Sequence, residues 1–232
     1  MEQKIDLFTP IHKAIRALIY DTGIKLQRTD FSSEVESNKF LTHLERVLDL
    51  LEEHARHEDQ IIFPPIEKAS PGICGELEKE HEYGEKLLLS LRKVISELEL
   101  LDGVARNSRS NSLNRTYTDF ISFYLSHMNR EEETVLPVSK NTLTNNELAS
   151  IRLKVQIDTR PGQYTEWLRW MLPALNIREL VPLFQQIKAS APSAIYQQVV
   201  RIGEEVIDSQ RWNTILREAV DLIEDRHNIE LG

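Results

Sequence analysis

Two segments of this chain end in the same pattern, and that repeat constrains the fold more than any other feature. His54-Ala-Arg-His-Glu58-Asp59-Gln-Ile-Ile62-Phe63-Pro64 and His127-Met-Asn-Arg-Glu131-Glu132-Glu-Thr-Val135-Leu136-Pro137 both read His-x-x-x-Glu-acid-x-x-β-branched-apolar-Pro. On a helix, the i, i+4 spacing puts His and Glu on one face, one turn apart. Proline cannot continue the hydrogen-bond ladder, so a helix stop is predicted at Pro64–Pro65 and again at Pro137. Two helices then present the same donor set at the same height, as neighbours in one interior would.

The periodicity around these segments is helical. Ile11, Ile15, Leu18 and Ile19 mark a first helix over about 8–27, and a polar stretch from Arg28 to Ser37 follows it. Leu41, Leu44, Val47, Leu48 and Leu51 mark a second helix that runs to Phe63. A third covers about 72–101 and a fourth about 113–136, with Asp102–Ser112 between them read as a loop. The low counts of 8 Gly and 9 Pro in 232 residues argue against a turn-rich β protein, and no strand is predicted. The expected fold is all-α: an up-down-up-down four-helix bundle over residues 1–140. A connecting helix opened by a Thr144–Glu147 capping box and a linker fill 141–159, and a C-terminal helical extension fills 160–232. Trp167, Trp170, Met171 and Leu175 are the apolar positions of the first helix of that extension. Leu180, Phe184 and Ile187 serve the next, then Ile195, Val199, Ile202 and Val206, then Trp212, Leu216, Val220 and Ile223.

Two further histidines complete the repeat. His12 lies on the first helix and His81 on the third, so a lone His precedes each His-x-x-x-Glu pair. Such an arrangement can build a pseudo-two-fold bundle with two metals at its centre, each taking two imidazoles, with carboxylates able to bridge them. Imidazole with carboxylate suits Fe, Mn, Co or Zn. The single cysteine, Cys74, excludes a Cys-only cluster and an internal disulfide framework. One surface His–Glu pair at i, i+4 is commonplace and worth a few tenths of a kcal/mol. Two pairs with matched prolines, each preceded by a further His, favour metal. Open positions on two nearby metals suit binding or activating O₂ better than a closed structural site.

These segments resemble the hemerythrin-like, or HHE cation-binding, family. HARHEDQIIFP and HMNREEETVLP look like its two signature segments, PIHKAIRALI like its N-terminal His helix, and EKEHEYGEKLL like its third helix; the likeness covers about residues 8–138. The resemblance implies an oxo- or hydroxo-bridged pair of iron ions, with Mn or Zn as alternatives. His12 and His54 would bind one iron, His81 and His127 the other, and Glu58 and Glu131 would bridge them. It further implies a protein that binds or senses O₂, peroxide, nitric oxide or iron. The rival function is a di-iron enzyme, either an oxidase or a small-oxidant reductase, including iron–sulfur repair under nitrosative stress. Oxygen-carrying members have a further His one turn beyond the third-helix His; here that position is Glu85, a weak extra ligand or a sign of a more open metal.

Other candidates receive plainer readings. His57 and His43 are expected outside the ligand set, His227 in solvent, and Tyr83, Tyr117 and Tyr124 in core packing. Asp59 and Glu132 either hydrogen-bond ligand histidines or face water. A net charge of −9, from 28 basic and 37 acidic residues, argues against nucleic acid as a partner. The absence of a signal-like N-terminus or a long apolar run points to a cytoplasmic protein without a membrane partner. A homodimer through the C-terminal helices is the expected assembly.

Overall fold

A computed structural model describes residues 4–220, and these are helical with short connections and no strand among them. In chain order the helices are α1 (Thr9–Arg28), α2 (Glu34–His57), α3 (Phe63–Ala69), α4 (Gly75–Glu99), α5 (Gly103–Thr142), α6 (Asn145–Asp158), α7 (Pro161–Ala174), α8 (Ile177–Ser190), α9 (Ser193–Val206) and α10 (Ser209–Ile215). A π-helical turn, Glu58–Ile62, joins α2 to α3, and another, Leu216–Val220, follows α10. The chain divides into two compact units between Thr159 and Arg160. Ile223 and His227 lie outside the described residues, as does the Val220 side chain.

In the first unit, α1 packs on α2 and α5, and α4 packs on the same two helices. Their apolar stripes face inward, so Ile15, Leu18, Leu44, Leu48, Leu91, Ile95 and Phe120 are all essentially fully buried. Burial of each such side chain contributes about 1.5–3 kcal/mol. A second cluster of Phe8, Ile62, Phe63, Ile66, Leu77, Val135 and Leu148 draws on α3, α4, α5, α6 and the residues before α1.

The prolines do not end their helices. Pro64 and Pro65 fall in the first turn of α3, where a missing N–H costs little. The wide turn before them closes with the Phe63 N–H donating to the Glu58 carbonyl. Pro137 sits inside α5, which continues to Thr142. Packing of the flanking Val135, Leu136 and Val138 in the second cluster holds the helix across it. The Ser139 hydroxyl donates to the Leu136 carbonyl at 2.8 Å.

Two stretches read as irregular are helical. The α2 helix begins at Glu34, capped by Ser33, so only part of Arg28–Ser37 is a connection. The α5 helix begins at Gly103, capped by the Asp102 side chain accepting from the Ala105 N–H at 3.2 Å. Its polar first turns are held by a tertiary contact: the buried Arg106 guanidinium donates to the Leu98 carbonyl at 3.0 Å and to the Ser37 hydroxyl at 2.5 Å. Gly103 is required by closeness, because a Cβ there would lie 2.5 Å from the Ser32 carbonyl oxygen.

The α6 helix opens with the Thr144–Glu147 capping box. The second unit has its own core of Leu168, Leu172, Leu180, Phe184, Val199, Ile202, Trp212 and Ile215. The α7 face in this core is Leu168 and Leu172, with Leu175 just past the helix end and Met171 only partly buried. Trp212 meets Phe184 edge-on at 5.6 Å, and a Cβ on Gly203 would come within 2.6 Å of the Trp212 ring. The α8 helix carries a capping box of its own, Asn176 with Glu179, which the sequence reading did not single out.

Two outcomes follow from this packing. Gly103→Ala should lower unfolding stability by about 1–3 kcal/mol in urea titration, although alanine is the better helix former, because the added methyl meets backbone. Asp6 accepts from the Phe8 and Thr9 N–H groups at 3.0 and 2.8 Å and pairs with Lys140 at 2.8 Å. Burial opposes its charge, but Lys140 and the two N–H groups outweigh burial and hold the carboxyl below its ordinary range. Its stabilisation is therefore present above the unfolded pKa of about 3.9 and lost as pH falls through the lower folded value. Asp6→Asn should cost roughly 0.2–1 kcal/mol at pH 7, and the gap to wild type should close in acid titration.

Candidate metal centre

Six side chains converge in the interior of the first unit: His12 from α1, His54 from the last turn of α2, Glu58 from the π turn after it, His81 from α4, and His127 and Glu131 from α5. Within each repeat the one-turn spacing brings imidazole to carboxylate, with His54 Nε2 3.3 Å from Glu58 Oε1 and His127 Nε2 3.2 Å from Glu131 Oε1. The lone histidines reach both carboxylates. His12 Nε2 is 3.5 Å from Glu58 and 3.4 Å from Glu131, and His81 Nε2 is 3.4 and 3.7 Å from the same two. The π turn starts at Glu58 itself; such turns recur at functional sites.

The convergent atoms lack hydrogen bonds. Nε2 of His12, His81 and His127 and all four carboxylate oxygens of Glu58 and Glu131 are buried without a partner. Leaving so many buried polar atoms unpaired is costly, and a cation among them would satisfy them together. The donor atoms fall into two groups, each within 4.8 Å: His12, His54 and Glu58, and Glu58, His81, His127 and Glu131. Glu58 belongs to both. This oxygen and nitrogen set fits iron, manganese, cobalt or zinc.

The outer ring nitrogens are held by carboxylates. His12 Nδ1 meets Glu132 at 2.9 Å, His81 Nδ1 meets Asp59 at 2.6 Å and His127 Nδ1 meets Glu80 at 2.8 Å. Asp59 and Glu132, the acids that follow Glu58 and Glu131, thus each hold a lone histidine on another helix. Arg16 donates to Glu132 at 2.8 Å, and Arg130 pairs with Glu80 at 2.7 Å. Glu80 was not singled out from sequence, though it adjoins His81 in a run of glutamates. Carboxylates at this position orient a ring and raise its basicity as a ligand.

Charge follows from these neighbours. Burial works against protonation of His12, but Glu132, Glu58 and Glu131 outweigh it and raise its pKa to about 9. Burial is likewise outweighed at His81 by Asp59, Glu131 and Glu58, and the pKa rises to about 12. At His54 burial prevails over the pull of Glu58 and lowers the pKa to about 4. Burial would raise Glu58, yet His54, His12 and His81 hold it well below the carboxylate range.

The other candidates lie apart from this cluster. Glu85 is exposed and belongs to neither donor group. His57 is buried, but its Nε2 meets Asp158 at 3.1 Å beside Arg56, at the C-terminal end of α6. His43 Nε2 meets the Thr22 hydroxyl at 3.2 Å. Tyr117 is buried and donates to the Ile19 carbonyl at 2.8 Å, while Tyr83 is half exposed and meets Phe123 edge-on. Tyr124 is the tyrosine nearest the cluster, buried with its ring 6.2 Å from that of His127.

Comparison with known proteins agrees with this geometry. The hemerythrin HHE cation-binding domain matches residues 3–139. F-box/LRR-repeat protein 5 of Danio rerio is 24% identical over 157 residues, covering 66% of this chain and 22% of that protein. The Salmo salar protein of the same name is 26% identical over 170 residues, covering 72% and 23%, and the Bos taurus one 26% over 156 residues, covering 66% and 22%. The match thus spans less than a quarter of the length of these relatives. No solved structure matches the chain. Among the described residues no helix is long and apolar enough to cross a membrane. With the domain match covering more than half its length, the chain belongs to the hemerythrin HHE cation-binding domain family.

Proposed function

We propose that this protein binds two iron ions in a hemerythrin-like four-helix bundle, α1, α2, α4 and α5 running up-down-up-down, and uses them to bind or sense O₂, a related small oxidant or iron itself. His12 and His54 would hold one ion and His81 and His127 the other, with Glu58 and Glu131 as the carboxylate ligands between them. The observation that carries this reading is the set of seven buried donor atoms that face one another with no hydrogen-bond partner. When bound, the iron pair supplies reversible ligand binding or electron transfer to small oxidants. Around it, Glu132, Asp59 and Glu80 set the tautomer of three ligand rings by accepting from Nδ1, which leaves each Nε2 lone pair turned toward the centre. We place the protein in the cytoplasm without a nucleic-acid or membrane partner, and assign its residues beyond 160 to a helical extension that pairs two copies. A second reading, a di-iron enzyme acting on peroxide or nitric oxide, is favoured by the pocket that reaches His81 and His127.

Metal analysis and the visible spectrum of natively purified protein test the first reading. Two equivalents of iron per chain and an oxo-bridge absorption band are expected, and iron far below one equivalent would refute it. A band that shifts reversibly with O₂ marks a binding protein, whereas sustained consumption of peroxide or nitric oxide marks the enzyme. His54→Ala and Glu131→Ala should each lower both iron content and the thermal midpoint, because metal binding is coupled to folding; unchanged stoichiometry in both would remove these residues from the ligand set. Glu132→Gln should weaken metal affinity by roughly 10–100-fold in chelator competition, since it replaces the carboxylate on the outer nitrogen of His12 by a neutral amide without touching a ligand.

A further inference from the structure

The two ends of the centre meet solvent differently. His12 is fully buried, and Phe8, also fully buried, packs edge-on against its ring at 5.7 Å. At the other end a pocket of about 470 Å³ opens among α2, α4 and α5. His81 and His127 form part of its wall, and His12 and His54 do not. The His127 side chain is 3% exposed, yet its Nε2 has no hydrogen-bond partner, and the same holds for Nε2 of His81, 8% exposed. The pocket therefore reaches the side chains of two candidate ligands, both at one metal position, whose buried Nε2 atoms lie beyond its wall.

Its rim is acidic. Glu78, His81, Glu82 and Glu85 follow the i, i+3, i+4, i+7 spacing of one α4 stripe, and all four line the pocket. Glu52 and Asp59 line it from the α2 side, paired with Arg92 and His81, and the single Lys or Arg among the lining residues, Arg56, pairs with Asp158, so the carboxylates left without an ion pair lie on α4. Glu78 lies in the first turn of α4, where the helix dipole accounts for an acid. Glu82 and Glu85 lie beyond that turn, and among the described residues neither forms an ion pair. Glu78 and Glu82 are like charges at i, i+4, which costs helix stability. Lys79 at i−3 and Lys86 at i+4 offset that cost at Glu82, whereas Glu85 has no Lys or Arg one turn away on either side, so local helix pairing leaves Glu85 unexplained.

We propose that this pocket is the entrance to the metal centre, that cations reach the His81–His127 position before the enclosed His12–His54 position, and that Glu82 and Glu85 favour cations over anions on the way in. The proposal rests on the metal reading of the six buried side chains. A cleft lined by one sign of charge concentrates the opposite ion and raises its on-rate, while neutral O₂ or nitric oxide passes without an electrostatic barrier.

Cobalt(II) uptake by the metal-stripped full chain, followed by stopped-flow visible absorption at low and high salt, tests it. The Glu82→Gln/Glu85→Gln double variant should load roughly three- to tenfold more slowly at low salt and show a weaker salt dependence. Ala55→Phe, which narrows the pocket from α2 without altering charge, should slow loading at both salt concentrations. His127→Ala should lose the fast phase that His12→Ala keeps. Wild-type rates and salt dependence in the double variant would overturn the role of the two glutamates. A fast phase that survives in His127→Ala would overturn the order of filling, and unimpeded loading of a folded Ala55→Phe protein would overturn the entrance. Wild-type protein that takes up no cobalt would overturn the metal reading itself, which separates that failure from the others.

Discussion

Two carboxylates and four imidazoles enclosed in one helical interior are the constraint around which the first unit is organised. Glu58 and Glu131 are fully buried, and burying an ionised carboxylate without compensation costs several kcal/mol. Positive charge at the same place offsets it directly, whether as protons on the imidazoles or as metal. The arrangement makes sense as a site that tolerates an unfavourable metal-free state for the sake of a favourable loaded one.

The supporting contacts show how the repeat becomes a three-dimensional device. In each repeat the glutamate points into the centre, while the acid that follows it turns outward and secures a histidine on another helix. Asp59 reaches His81 on α4, and Glu132 reaches His12 on α1. The repeat thus supplies donors and also ties one helix to the next. Arg16 and Arg130 extend two of these chains outward by pairing with Glu132 and Glu80. A ring held in this way loses little freedom when it binds a cation, and its tautomer is chosen in advance.

Periodicity revealed the helices because burial of one face imposes it, and the four longest in the first unit were legible from Leu and Ile spacing. Their ends were not. Proline removes one donor but does not forbid a helix when the turn is widened, as before Pro64, or when neighbours pack across it, as around Pro137. The polar run from Asp102 to Ser112 reads as a loop because its anchor is remote: Arg106 is buried against Leu98 and Ser37, a contact that local sequence does not encode. In the second unit the aromatic residues drew attention, but Leu168 and Leu172 carry the α7 contact with its core.

The amino-acid sequence by itself determined the helical class and pointed to the six residues that meet in the interior, because His-x-x-x-Glu spacing puts each pair on one helix face and the repeat sets a further His before each pair. It also marked Asp59 and Glu132 as acids one position past each glutamate, without saying what they face. Tertiary structure decided what those acids hold, that Glu80 joins them, that His57 turns to Asp158, and that Glu85 stands at a pocket rim apart from the donor groups. It also decided which half of the centre faces solvent. Each of these depends on distances between helices far apart in the chain, and such distances follow from how side chains pack rather than from their order.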